Sequence, residues 1–217
     1  MEGTALPYIA LDGNAYLCET PAPSHRCKKK STMKIKPELI LGCLLSLYTV
    51  SVLADASVQT YPVLQVEDGD TLLLEIEGES VRVQLLGIDA PEDSDNPKFK
   101  LDLKNTEMDA GLLRQLGIEA TSHLESLVSA GDSVTIDGEL REKDRYGRIP
   151  AIVNNATGRP LPSAMIQDGY AIALEPTEQD YAYGRRLDRL ERFSRKSHNG
   201  LWGSHPEAFR NWYDRTR

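Results

Sequence analysis

The stretch of sequence that decides the fold is residues 61–88, YPVLQVEDGDTLLLEIEGESVRVQLLGI. Apolar and polar residues alternate in three short runs, 61–67, 70–76 and 81–88, with the period of two that half-buried β-strands show. Asp68-Gly69 separates the first two runs and Glu77-Gly78 the last two, and such dipeptides are typical of tight hairpin turns. We therefore predict a three-stranded meander joined by two-residue turns.

The rest of the chain adds strands and helices to this meander. Apolar patterning predicts strands at 133–140 and 149–153 and helices at 118–130, 162–169 and 179–198. Residues 92–107 are polar and contain Pro97, which predicts a long loop. This loop is either a flap that faces the substrate or a floppy insertion. From these patterns alone the fold class is α+β.

Residues 33–56 have the pattern of a secretory signal peptide. The basic start Met33–Lys36 is followed by the apolar run Leu39–Leu53 and by Ala54-Asp55-Ala56, which is typical of a cleavage site. This pattern predicts a mature domain at 57–217 and makes residues 1–32 a mis-assigned extension upstream of the true start. The alternative is a membrane anchor, but the apolar run is shorter than the roughly 20 residues that span a bilayer.

Cysteine and charge content narrow the class of protein. The three cysteines, Cys18, Cys27 and Cys43, precede the predicted cleavage point, which excludes a disulfide framework and a cysteine nucleophile from the mature domain.

The chain has 25 Lys and Arg against 33 Asp and Glu, whereas non-specific nucleic-acid binders are usually basic. Residues 185–217 reverse the balance, with nine basic and four acidic residues. Binding to an anionic polymer would therefore be weak and strongly dependent on a divalent cation.

Three acidic turns lie at the ends of predicted strands: Asp68–Thr71, Gly87–Glu92 and Asp144–Arg148. Hydrolysis of a phosphodiester with a hard cation needs oxygen ligands, a carboxylate that takes a proton from water, and fixed positive charge for the phosphorane. Asp70 and Asp89 are the candidate ligands because each carboxylate is presented at a strand end. For an Asp beside Gly the alternative role is to cap the turn.

The three turns in this order resemble the staphylococcal nuclease family, whose pattern is Asp-Gly-Asp-Thr, then Gly-Ile-Asp-Ala-Pro-Glu, then Tyr-Gly-Arg. The resemblance covers residues from Val63 to Trp202. It implies a five-stranded OB-type β-barrel with about three packed helices. It also implies that Asp70, Asp89 and the backbone carbonyl of Ala90 bind Ca²⁺.

The resemblance further assigns roles around the metal. Glu92 matches the general base, and Arg148 matches the catalytic arginine of the Tyr-Gly-Arg turn. Arg145 and Tyr146 align with positions that contact the nucleotide. The chain departs from the family at Gln84, where a second catalytic arginine is expected. Arg82 lies two residues earlier on the same predicted strand face and is a candidate to supply the missing charge.

Together these features predict an exported Ca²⁺-dependent nuclease, secreted or periplasmic, that hydrolyses DNA and RNA with low sequence specificity. A monomer with no stable membrane span after signal cleavage is expected. One alternative is an inactive OB-fold module that binds nucleic acid or a protein partner, which Gln84 and the net negative charge favour. Another is a Ca²⁺-stabilised structural domain, which would not need Arg148.

Overall fold

A computed structural model describes residues 58–138, 140 and 142–216. The predicted N-terminal extension, the signal peptide and the mature start at Ser57 lie outside the described residues, so they remain expectations. In the part of the chain that is described, no helix is long and apolar enough to cross a membrane.

A closed five-stranded barrel forms the centre of the domain. The strands of the described residues are β1 (Thr60–Val66), β2 (Thr71–Ile76), β3 (Glu79–Leu85), β4 (Ile88–Asp89), β5 (Ser133–Asp137), β6 (Ile149–Asn154) and β7 (Ile172–Ala173). The barrel order is β1-β2-β3-β6-β5, and β4 pairs with β7 in a separate two-stranded sheet. Only β3 and β6 run parallel within the barrel. The predicted OB-type barrel and α+β class are confirmed.

The alternation in residues 61–88 explains the barrel interior. The fully buried side chains of β2 and β3 occupy alternate positions: Leu72 and Leu74 in β2, Val83 and Leu85 in β3. Leu73 and Gln84, which lie between them, are only partly buried. The fully buried side chains are driven inside because removing their apolar surface from water is favourable by roughly 25 cal/mol per Å². The predicted meander is therefore present, with β2 antiparallel to both β1 and β3.

One of the two predicted hairpin turns is wrong. Glu77 and Gly78 have φ values of 55° and 80° and make the expected two-residue turn. The other connection comprises residues 67–70 and is two residues longer than predicted; within it the backbone N–H of Asp70 donates to the Asp68 carboxylate at 3.0 Å. Gly69 is needed there for space, since a Cβ would lie 2.8 Å from the Cβ atoms of two alanines, Ala90 and Ala120.

The described residues contain six helices, twice the predicted number. They are α1 (Pro97–Thr106), α2 (Ala110–Leu127), α3 (Leu161–Asp168), α4 (Tyr181–Ser197), α5 (Leu201–Ser204) and α6 (Pro206–Thr216). Helix α2 begins eight residues before the predicted start, because the Asp109 side chain caps it by accepting from the backbone N–H of Leu112 at 3.0 Å.

The prediction of a continuous loop at 92–107 is wrong, because α1 occupies most of it. Asn96 caps the helix by accepting from the backbone N–H of Phe99 at 2.8 Å. Pro97 is the first helical residue, where its missing N–H costs nothing. Phe99, Asp102 and Thr106 form the buried face. The polar sequence and the proline thus mark the start of a helix rather than a loop.

A second apolar cluster holds α1 in place. Phe99 of α1 packs with Leu113 of α2 and with the aromatic side chains Trp202, Phe209 and Trp212 from α5 and α6. The ring centroids of Trp202 and Phe209 are 4.5 Å apart at a steep angle, which is a favourable edge-to-face geometry. The C-terminal helices therefore support α1 beside the barrel.

The predicted third strand also ends early. β3 stops at Leu85, and Gly87, with φ of 78°, turns the chain out of the barrel. Ile88 and Asp89 then pair with β7. This change of sheet fixes the backbone that carries the second acidic turn.

Candidate active site

The first two acidic turns meet at the start of β2. Asp70 directly precedes β2, and its Oδ2 accepts from the backbone N–H of Ala90 at 3.3 Å. Its Oδ1 accepts from the hydroxyl of Thr71 at 2.9 Å. Asp89 is the last residue of β4 and lies next to Ala90 in the chain. The structure therefore places the Asp70 carboxylate against the backbone that carries Asp89 and Ala90.

These carboxylates are buried and repel one another. Asp70, Asp89 and Glu92 are 2%, 6% and 5% exposed. Burial, with added repulsion from Asp70 and Glu92, raises the pKa of Asp68 to about 8. Burial also raises the pKa of Asp89 to about 7, against the opposing effect of the Lys98 ammonium. A cation that neutralises this group would stabilise the folded domain.

The available oxygen donors suit a hard divalent cation. Two carboxylates and one backbone carbonyl, from Asp70, Asp89 and Ala90, are the ligand types that Ca²⁺ takes, with waters completing its coordination. Among the described residues there is no group of three or more His, Cys, Asp or Glu side chains arranged to hold a metal.

Lys98 is a site residue that the sequence did not predict. Its Nζ lies 3.1 Å from Asp89 Oδ1 and 3.2 Å from Glu92 Oε1. The same atom lies 3.2 Å from the Ala90 carbonyl oxygen and 3.2 Å from Asp102 Oδ2. Burial opposes the charge on this ammonium, but the carboxylates outweigh it and raise the pKa of Lys98 above its usual value. The Asn96-Pro97 helix start was the signal that would have placed this lysine on a helix facing the acids.

Glu92 is fixed from three sides. Asn96 donates from Nδ2 to Glu92 Oε2 at 2.6 Å. Gly117 of α2 touches the Glu92 backbone so closely that a Cβ there would overlap its carbonyl group. The next residue, Asp93, accepts from the hydroxyl of Thr121 at 2.8 Å. The candidate base is thus held by contacts from α1 and α2.

Arg148 is oriented by its own turn. Asp144 Oδ1 accepts from the backbone N–H groups of Tyr146 and Arg148, and its Oδ2 accepts from Arg148 Nε at 3.1 Å. Burial would raise the pKa of Asp144, but these hydrogen bonds outweigh it and lower that pKa. Arg148 Nη1 lies 3.9 Å from Asp70 Oδ1, so the guanidinium faces the acidic cluster. Asp144 therefore positions the arginine rather than adding a ligand.

The family has a second catalytic arginine where this chain has Gln84, and Arg82 is the candidate to replace it; the two side chains are placed differently. We call the place of this arginine the second cationic position. Gln84 lies in β3 opposite Thr71 and Pro150. Arg82 borders the cleft of the site, but its Nε lies 2.6 Å from Oε2 of Glu67. The structure therefore directs Arg82 towards the site while pairing its charge with a carboxylate.

Some of these groups line one cleft of about 180 Å³, whereas Asp70, Asp89, Ala90 and Gln84 are not among its lining residues. Its lining residues are Asp68, Arg82, Glu92, Asn96, Pro97, Lys98, Tyr146 and Arg148. Tyr146 is 55% exposed, with the guanidinium carbons of Arg145 and Arg148 at 4.8 and 5.2 Å from its ring centre. Arg145 does not line the cleft but packs on Tyr146, whose exposed ring does.

The structure thus defines an OB-type barrel domain with buried acids, a glutamate and an arginine around one cleft. The model of the staphylococcal nuclease homologue family matches residues 82–204, and the chain belongs to this family. The matched residues include Asp89, Glu92 and Arg148, while Asp70 precedes them.

Individual relatives agree with this assignment. The chain is 26% identical over 153 residues to the thermonuclease of Staphylococcus hyicus, covering 70% of this chain and 80% of that protein. It is 30% identical over 140 residues to an uncharacterized endonuclease of Escherichia coli, covering 64% and 74%. It is 28% identical over 144 residues to the endonuclease YhcR of Bacillus subtilis, covering 64% of this chain but 11% of that protein. The family and these names mark the domain as one of nuclease type.

Proposed function

We propose that this protein is a Ca²⁺-dependent nuclease that hydrolyses phosphodiester bonds of DNA and RNA with low sequence specificity. The observation that supports the proposal is the contact of Asp70 with the backbone of Ala90, next to Asp89, and with Arg148, which lines a cleft together with Glu92. Oxygen ligands, a carboxylate and a guanidinium at one cleft are the parts that metal-assisted phosphodiester hydrolysis uses.

In this mechanism Asp70, Asp89 and Ala90 would hold the cation. When bound, the cation would supply positive charge to a phosphate oxygen. Glu92 would accept a proton from the attacking water as general base. Arg148 would bind two phosphate oxygens and stabilise the negative charge of the phosphorane, for which a planar guanidinium is well suited.

The uncharged Gln84 at the second cationic position should lower the rate of phosphodiester hydrolysis. Gln84 can donate a hydrogen bond but has no charge, and loss of one transition-state contact of this kind typically costs about 10²–10³ in rate. Arg82 lines the cleft and would supply part of the missing charge, although its pairing with Glu67 reduces that contribution. We therefore expect a weak but real nuclease.

The cellular setting follows from the sequence. The signal-peptide pattern at 33–56 supports export to the periplasm or the medium. A monomer suffices for the proposed chemistry, because the cleft and its candidate residues belong to one chain.

A second candidate function is an inactive module that binds nucleic acid. It is favoured by Gln84 at the arginine position and by the ion pair that ties Arg82 to Glu67. The buried acids oppose it, because a module that only binds phosphates gains nothing from repulsive carboxylates beside them.

One experiment separates the two functions. Residues 57–217 would be incubated with plasmid DNA and with RNA, in Ca²⁺ and in excess chelator, beside the matched variant Glu92→Gln. Cleavage of both substrates by the wild type in Ca²⁺ alone, with little cleavage by the variant, is the expected result. Binding without cleavage under all conditions would reject the nuclease and support the binding module.

A further inference from the structure

One ammonium group bridges four oxygens at the centre of the site. Lys98 Nζ contacts carboxylates of Asp89, Glu92 and Asp102 and the carbonyl of Ala90, all at 3.1–3.2 Å. Two of these oxygens, from Asp89 and Ala90, are donors that the proposed function assigns to the cation. A Ca²⁺ ion bound to these two oxygens at about 2.3–2.6 Å would lie close to the ammonium, so the two positive charges would compete for them.

The helix that carries Lys98 is firmly placed. Its N-terminus is capped by Asn96, and its buried Phe99 packs in the second apolar cluster. The Lys98 partner one turn further on, Asp102, accepts from Trp212 Nε1 at 3.0 Å. The ammonium is therefore delivered to the acids by a supported helix.

The same ammonium restrains the candidate base. Lys98 binds Glu92 Oε1 at 3.2 Å, while Asn96 donates to Oε2 at 2.6 Å. Each oxygen of the Glu92 carboxylate therefore already has one partner, which a water molecule binding there has to displace or share. Removing Lys98 would leave Glu92 held by Asn96, with Oε1 available to water.

We propose that Lys98 is an internal counter-ion that closes the metal site, and that Ca²⁺ binds by displacing its ammonium group and thereby releases Glu92 for catalysis. This inference rests on the proposed nuclease function. A divalent ion replaces the ammonium because it carries twice the charge and approaches the oxygens more closely. Asp102, which is not among the proposed ligands, remains a partner for the displaced lysine.

The first test measures the reactivity of the lysine itself. The wild-type protein would be treated briefly with an amine-acetylating reagent, in chelator and in saturating Ca²⁺, and each lysine quantified by mass spectrometry. We expect Lys98 to react several-fold faster in Ca²⁺. Lys100, on the same helix with a 67% exposed side chain, is the internal control and should react equally in both. Unchanged or slower acetylation of Lys98 in Ca²⁺ would overturn the proposal.

The second test measures competition directly. By titration calorimetry, Lys98→Gln should bind Ca²⁺ about tenfold or more tightly than the wild type, because a competing buried charge has been removed. The matched variant Lys100→Gln should bind as the wild type does. Equal or weaker binding by Lys98→Gln would overturn the proposal. If Lys98→Gln does not fold in chelator, the acetylation of the wild type decides the question.

The two levels of inference fail in different ways. A wild type that binds Ca²⁺ and cuts DNA, while Lys98 acetylation stays unchanged, would overturn the lysine proposal and leave the nuclease intact. A wild type that neither binds Ca²⁺ nor cuts nucleic acid would overturn both.

Discussion

Gly117 of α2 lies directly against the backbone of Glu92, with no room for a side chain between them. The two residues are far apart in sequence, yet this contact fixes the position of the Glu92 backbone relative to α2. A helix that packs on the backbone of a loop residue fixes its position more rigidly than a side-chain contact would, because backbone atoms have few alternative positions.

Gly117→Ala should therefore displace Glu92. We expect a loss of stability of about 1–3 kcal/mol from overpacking and a fall in turnover larger than the change in KM. Chemical denaturation and steady-state kinetics would measure both. Gly111→Ala, in the same helix, is the matched control for turnover, because its Cβ would meet Oδ1 of the capping Asp109 at 3.0 Å and no atom of Glu92. Wild-type turnover in Gly117→Ala would show that the contact does not position the base.

Glu92→Gln tests the role of the carboxylate itself. The change keeps the size of the side chain and a hydrogen-bonding oxygen for Asn96, so the fold and Ca²⁺ binding should be retained. Turnover should fall by about 10²–10⁴, the usual contribution of a positioned base. Calorimetry and single-turnover kinetics separate the two effects. An equal loss of Ca²⁺ affinity and rate would instead make Glu92 a structural or metal residue.

Asp70→Ala and Asp89→Ala should each abolish Ca²⁺ binding, because the remaining donors cannot offset the cost of dehydrating the ion. Titration calorimetry is the measurement. Asp95→Ala is the control, since the Asp95 side chain is 61% exposed and pairs only loosely with Lys100 at 3.7 Å. Wild-type affinity in either ligand variant would leave that aspartate with the alternative role of capping its turn.

Two substitutions at the second cationic position should change turnover in opposite directions. Gln84→Arg should raise turnover several-fold or more, because it adds a charge-assisted contact to the phosphorane. Arg82→Ala should lower turnover with little change in stability, since an exposed ion pair such as Arg82 with Glu67 contributes about 0–1 kcal/mol. Both effects should appear in kcat more than in KM. A wild type that is inert and is not rescued by Gln84→Arg would favour the binding module.

Much of the fold could be predicted because its signals are local. The alternation in residues 61–88 indicates which side of each strand faces the core. The Glu77-Gly78 turn depends only on the positive φ angles of these two residues. The prediction failed at 92–107, where the polar composition and Pro97 predicted a long loop. There the decisive signal was a capping asparagine followed by proline, and the helix is completed by burial of Phe99 against residues from the C-terminus.

By itself, the sequence determined the barrel strands, the α+β class and the acidic turns that carry Asp70, Asp89, Glu92 and Arg148, because these features depend on neighbouring residues. Only the tertiary structure decided that Lys98 bridges the acids, that Gly117 supports Glu92, and that Arg82 is paired with Glu67. The physical reason is that these contacts join elements 6 to 25 residues apart whose approach is set by helix packing and barrel closure. No local pattern encodes such distances.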